Sequence, residues 1–140
     1  MKKILSTLYI ILACATPAIA QVKVSISELV GTKWQISEVY ERHESAYYEF
    51  TKEKFIWHCN DGTTVPYPFY LSNTIPEKFE YTKVGVSING CYLNQEFDEN
   101  RFCCYAILSF DKSKGKMVLD LKNLKFIGPD DPVTFILIKK

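Results

Sequence analysis

The sequence predicts an all-β fold of about eight antiparallel strands in a meander, preceded by one short helical turn, and three observations carry that prediction. Apolar residues recur at every second position through most of the chain, the period of a strand with one buried face. Turn signals, "NDG" at 60–62, "DKSKGK" at 111–116 and "GPDDP" at 128–132, cut the chain into short runs. Beyond residue 20 it holds eight Tyr, nine Phe and two Trp, residue types that suit a pleated, half-buried surface. A meander leaves an unpaired edge on each side, and joining the first strand to the last removes both. A closed barrel is therefore expected, with an open barrel or a β-sandwich as the alternative.

Residues 1–20 read as a signal peptide outside the fold. Lys2 and Lys3 form a basic start, an apolar run follows, and Ala-Ile-Ala precedes Gln21 as a cleavage signature. The run falls short of the roughly 20 apolar residues that span a bilayer. "ILAC" also resembles a lipobox, which would put a lipid anchor on Cys14 instead of a cut after Ala20. Both readings take the protein out of the cytoplasm: to the periplasm or medium in the first case, to an outer-membrane anchor in the second. Residues 21–140 suffice for one domain with one core. Loss of the leader, with its two lysines and no acids, takes the net charge from +1 to −1. Basic residues are scattered, so nucleic acid is not an expected partner. No later segment is long and apolar enough to span a membrane.

"SISELVG" supplies the helical turn: Ser25 or Ser27 as N-cap, Glu28 in the first turn, Gly31 as terminator. Trp34 then opens the first strand. In "YYEFTKEKFIWHC" a turn at 51–54 sets Phe50 against Phe55 and Tyr48 against Trp57. Tyr48, Phe50, Phe55, Trp57 and Cys59 then share the inner face, and Tyr47, Glu49, Ile56 and His58 the outer. "TTVPYPFYLS" holds Pro66 and Pro68, neither of which donates to a ladder, so it reads as an edge or as irregular chain. "TIPEKFEYTKVG" reads as a loop with one helical turn. "GCYLNQEF" and "RFCCYAILSF" form a further hairpin about Asp98–Asn100, with Phe102, Cys104, Ala106, Leu108 and Phe110 sharing a face. Gly115 takes the left-handed position of the next turn, and Met117, Leu119 and Leu121 of "MVLDL" point inward. "VTFILIK" is apolar on both faces, as suits a strand that closes a sheet.

"LVGTKWQISEVY" resembles the opening of the small bacterial lipocalin-like proteins of the calycin group, and "YYEF" and "NDGT" are similar to their later hairpins. The likeness runs loosely over residues 27–140 and is motif-like only at the start. It implies a lipocalin-like barrel with Gly31 and Trp34 closing one end, and an interior that holds a small, partly apolar ligand. Lys33 adds one residue to the usual Gly-x-Trp spacing. The late arginine that packs on the Trp in lipocalins is missing, since the only arginines are Arg42 and Arg101; Lys139 is the nearest substitute.

Titratable residues offer little convergent chemistry. Of two histidines, His43 sits in the solvated "ERHE" run, and His58 is next to Cys59 but on the opposite face of its strand, beside Tyr47 or Glu49. There is no G-x-S-x-G or phosphate-cradling glycine loop, and the carboxylates fall at turns and on outer faces. No metal, cofactor or enzymatic activity is expected. Cys59, Cys91, Cys103 and Cys104 can form disulfides after export, in three connectivities, or remain buried thiols; Cys103 and Cys104, as neighbours on a strand, face opposite sides. Tyr48, Phe50, Phe55, Trp57, Tyr67 and Phe69, with Tyr70, either line a ligand cavity or fill a solid core. A carrier calls for a cavity of at least about 300 Å³. The alternative, a protein- or glycan-binding module, calls for an exposed Tyr47–Tyr67–Tyr70 patch.

Overall fold

In the computed structural model, which describes residues 21–36, 45–99, 101–123 and 132–138, a single helical turn α1 (Ile26–Leu29) leads into eight strands. These are β1 (Lys33–Ile36), β2 (Ser45–Phe50), β3 (Lys54–Cys59), β4 (Thr64–Ser72), β5 (Tyr92–Asp98), β6 (Arg101–Asp111), β7 (Lys116–Leu121) and β8 (Val133–Leu137). Each pairs antiparallel with its neighbour in sequence, and β1 pairs with β8 through Trp34–Leu137, Gln35–Ile136 and Ile36–Phe135. The sheet is a closed barrel in meander order. No described helix is long and apolar enough to cross a membrane. The leader with Cys14, the "ERHE" run with Arg42 and His43, the "GPDDP" break up to Asp131, and Lys139 lie outside the described residues.

The hairpin register is the expected one: Tyr48 opposite Trp57 and Phe50 opposite Phe55, with His58 opposite Tyr47 on the outer face. Trp34, Tyr48, Phe50, Phe55, Phe69, Leu71, Leu93, Ile107, Met117, Leu119 and Phe135 form the interior core, joined by Val24, Ile26 and Leu29 from the N-terminal segment. Ser25 caps α1, its backbone N–H donating to the Glu28 carboxylate at 2.8 Å. Those bonds hold the Glu28 carboxyl below its usual range. Gly31 then turns the chain at φ +79°, and its N–H donates to Phe50 O at 2.8 Å, seating β1 against β2. Trp34 follows with no exposed surface, packed 6.0 Å from Phe110. Its indole N–H donates to Thr32 Oγ1 at 2.7 Å, and that hydroxyl donates to Leu29 O at 2.6 Å. Thr32 thus supplies the polar partner that a late arginine would not.

Two details differ from the sequence expectation. The proline-bearing run is not an edge of the barrel but β4, paired with both β3 and β5. Its prolines fit because Phe69 N–H turns toward β3, to Glu53 O, so by alternation the nitrogens of Pro66 and Pro68 face the other flank, where the ladder to β5 starts only at Phe69. The second difference is in β6. A bulge between Ile107 and Ser109 splits its faces, so Cys103, Tyr105 and Ile107 face inward before it and Phe110 after it. Phe102 and Cys104 are buried on the outside instead, with Tyr70 and Phe79, beneath the connection from β4 to β5. That connection contains the expected helical turn, at Tyr81–Lys83. It is anchored by a bridge between Val24 and Gly90, where an added Cβ would meet the Ser72 backbone at 2.7 Å.

Substituting the closed end grades its parts. Trp34→Ala is expected to cost about 3–5 kcal/mol through the cavity it leaves. Thr32→Val strands the indole N–H and costs about 1–3 kcal/mol. Gly31→Ala meets no atom within 4 Å and costs only the strained backbone, about 1–2 kcal/mol. Urea denaturation of the three variants measures this order.

Candidate functional site

The antiparallel meander sends alternate connections to opposite ends. At one end lie α1, the turns β2–β3 and β6–β7 and the connection from β4 to β5; at the other lie the β3–β4 turn and the strand ends at Ile36, Leu121 and Val133. Side chains fill the first half of the interior, around Trp34, Phe50, Phe69, Ile107 and Met117. Toward the second end a cavity of about 200 Å³ remains, lined by Ile36, Tyr48, Phe55, Trp57, Tyr105, Leu119, Val133 and Phe135. It is smaller than the volume expected of a carrier, and Trp57 and Tyr105 are among the large side chains that bound it.

The six aromatics singled out from sequence divide by depth. Tyr48, Phe55 and Trp57 line the cavity. Phe50 and Phe69 belong to the packed half, their rings 5.3 Å apart. Tyr67 faces inward and meets the Trp57 ring edge-on at 5.0 Å. Tyr70 points the other way and is fully buried, 4.9 Å from Phe79. An exposed Tyr47–Tyr67–Tyr70 patch therefore does not form: β4 alternation separates Tyr67 from Tyr70. Tyr47 is half-buried, stacked on His58 at 4.1 Å, and His58 meets Glu49 at 2.8 Å, all on the outer wall.

The interior is not wholly apolar. Gln95 lies on the inward face of β5, opposite Phe69 and Cys103, with only 1% of its surface exposed. Neither of its amide atoms has a hydrogen-bond partner among the described residues, and the same holds for the indole nitrogen of Trp57. Sequence reasoning passed over Gln95 and the cavity residues Ile36, Tyr105, Val133 and Phe135, while Leu119 is among those read as inward. The signal for Gln95 was present, since in "YLNQEF" it shares the inward parity of Leu93 and Phe97.

Tyr105, partly buried on the cavity wall, has its hydroxyl pushed well above the usual range by burial first and by neighbouring Cys103 second. Tyr67 is shifted in the same direction by burial, then by Cys59 and Cys103. All four expected cysteines carry free thiols: Cys59 half-buried, Cys91, Cys103 and Cys104 buried. Burial raises Cys103, and raises Cys104 to about 12. No group of three or more His, Cys, Asp or Glu able to hold a metal ion occurs among the described residues.

Thiol reactivity follows from these placements. Burial keeps the Cys104 thiol protonated at pH 8 and out of reach, so maleimide or iodoacetamide is expected to label Cys59 first and Cys104 only on unfolding, as peptide mass spectrometry will show. The unfolded chain sheds the Cys104 proton near pH 9.0 and the folded chain near about 12. Across that window the unfolded state binds fewer protons, so stability falls as pH rises. Thermal melts between pH 8 and 11 should show this decline, and Cys104→Ala should flatten it in part. Set against family models, curated proteins and solved structures, the chain matches none of them; its closed eight-stranded meander is compatible with a lipocalin-like fold.

Proposed function

We propose that this chain is an exported, non-catalytic barrel protein of lipocalin-like type that holds one small, mostly apolar molecule inside its barrel, with residues 1–20 serving as the export signal. The cavity of about 200 Å³ at the end away from Trp34 supports this reading. Its walls are predominantly aliphatic and aromatic, the composition of small-molecule sites. Size narrows the ligand. An apolar cavity of about 150 Å³ accepts benzene, so this one suits a molecule of about eight to ten non-hydrogen atoms. A flat dye such as ANS is too large for it.

Affinity should be modest. So small a ligand buries little area and loses its own translational freedom, which sets Kd between about 10 μM and 1 mM. Trp57 lines the cavity and Trp34 does not, so tryptophan emission reports occupancy through one residue.

Titration with ethylbenzene is expected to give a saturable change in tryptophan emission. At about ten times Kd it should raise Tm by about 3–8 °C. Val133→Phe fills the cavity and should abolish both effects while the protein stays folded. Absence of any saturable response at millimolar ligand, or a response that survives Val133→Phe, overturns the reading.

A further inference from the structure

Resting on that reading, we propose that the barrel selects a ligand with an uncharged carboxamide head, which pairs with the side-chain amide of Gln95 and the indole N–H of Trp57 while its apolar body occupies the cavity. Buried polar groups in folded proteins are nearly always hydrogen-bonded. Here two inward-facing side chains on one wall of the barrel break that rule together. Among the described residues neither amide atom of Gln95, at 1% exposure, has a partner, and neither does the Trp57 nitrogen.

Position connects them to the cavity. Gln95 sits one cross-strand diagonal from Tyr105, which lines the cavity, and one from Tyr67, whose ring touches Trp57. Strands β3 to β6 thus carry the polar atoms of the interior. The facing wall, Ile36, Leu119, Val133 and Phe135, is apolar. A rotamer change of Tyr67 or Tyr105 joins the Gln95 amide to the cavity, a movement of the kind that commonly accompanies binding.

The chemistry of the head follows from counting donors and acceptors. Trp57 offers one donor; Gln95 offers a donor and an acceptor. A carboxamide answers all three, its oxygen accepting from Trp57 and from the Gln95 NH₂, its own N–H donating to the Gln95 oxygen. Charge excludes a carboxylate. Among the described residues the buried polar ones are Ser72, Asn94 and Gln95, none of them cationic. Arg101, at the rim, is exposed and paired with Asp98. An ionised head would enter the interior without a counter-charge.

The test compares ethylbenzene, benzamide and benzoate on wild type, Gln95→Met and Val133→Phe, by tryptophan emission and thermal shift. Wild type is expected to favour benzamide over ethylbenzene. Gln95→Met should cut that preference at least about tenfold, leave ethylbenzene affinity nearly unchanged, and raise Tm of the free protein because an unpaired buried amide is gone. Val133→Phe should remove binding of both. Carbonyl-labelled benzamide gives a readout that needs no variant: its stretching frequency should fall on binding to wild type. Ethylbenzene binding with no benzamide preference, with a preference that Gln95→Met leaves intact, or with benzoate bound best, overturns the carboxamide head and leaves the cavity reading standing. Binding of none of the three overturns both.

Discussion

Three cross-strand pairs between β1 and β8 turn a meander into a barrel, and the interior exists only because they form. Without them both strands would be edges, and Trp34, Ile36, Phe135 and Leu137 would face water on an open sheet. With them, the inward residues of all eight strands share one space, and the apolar stabilisation of each depends on the others being there. The closure is short, a four-residue strand against a five-residue one. Neighbouring backbone bonds extend it: Ile138 N–H to Lys33 O at 2.8 Å on one side of β1, and Phe50 N–H to Thr32 O at 3.1 Å on the other. Gly31 makes this possible by bringing the chain off α1 in the direction that β1 requires.

A barrel of this strand number has room for side chains or for one small guest. Here the two uses divide the axis. The helical turn and Trp34 cap one half, and Phe50, Phe69, Ile107 and Met117 pack it solid. At the other end no described helix covers the strands. The outside is used as well. Tyr70, Phe79, Phe102 and Cys104 make a second small core under the β4–β5 connection. It stiffens the β4–β6 wall, where Asn94 donates to Ser72 Oγ at 2.8 Å, and that wall presents Gln95 inward. A rigid outer layer behind an inward polar group is what holds such a group in place for recognition.

Much of this was legible in the residues. Alternation through "YYEFTKEKFIWHC" fixed which of Tyr48, Phe50, Phe55 and Trp57 point inward, because a strand offers only two faces and the outer set is visibly more polar. "SISELVG" and Trp34 were legible because capping and left-handed turns are local. What escaped depends on pairing at a distance. The β6 faces are set by a bulge at Leu108 that nothing in "RFCCYAILSF" announces. Whether Pro66 and Pro68 sit on an edge depends on where the β5 ladder begins. Tyr70 reads as an exposed aromatic until the β4–β5 connection is folded over it. Cavity volume is the least legible of all, since it is a small difference between the space that eight strands enclose and the volume of their side chains.

The two tryptophans show why the open half reads as a site and the closed half as structure. Both are inward-facing residues on barrel strands, and both bury an indole nitrogen. Trp34 has its N–H answered by Thr32 two residues away, and Thr32 is itself held by Leu29, so the group is fully satisfied by its own strand and helical turn. Trp57 has no such partner among the described residues, nor does Gln95 on the same wall. A chain shaped only for stability would replace both with apolar residues of similar size, since an unpaired buried amide costs about 1–3 kcal/mol. Destabilising features kept together in one place are the mark of a site whose hydrogen bonds are completed by something else. The closed end answers its indole nitrogen from its own strand and helical turn; among the described residues the other end leaves a donor on β3 and a donor–acceptor pair on β5 unanswered, near a space about the size of a small aromatic molecule. That asymmetry along one barrel axis, rather than the aromatic richness of the chain, is what distinguishes a binding interior from a filled one.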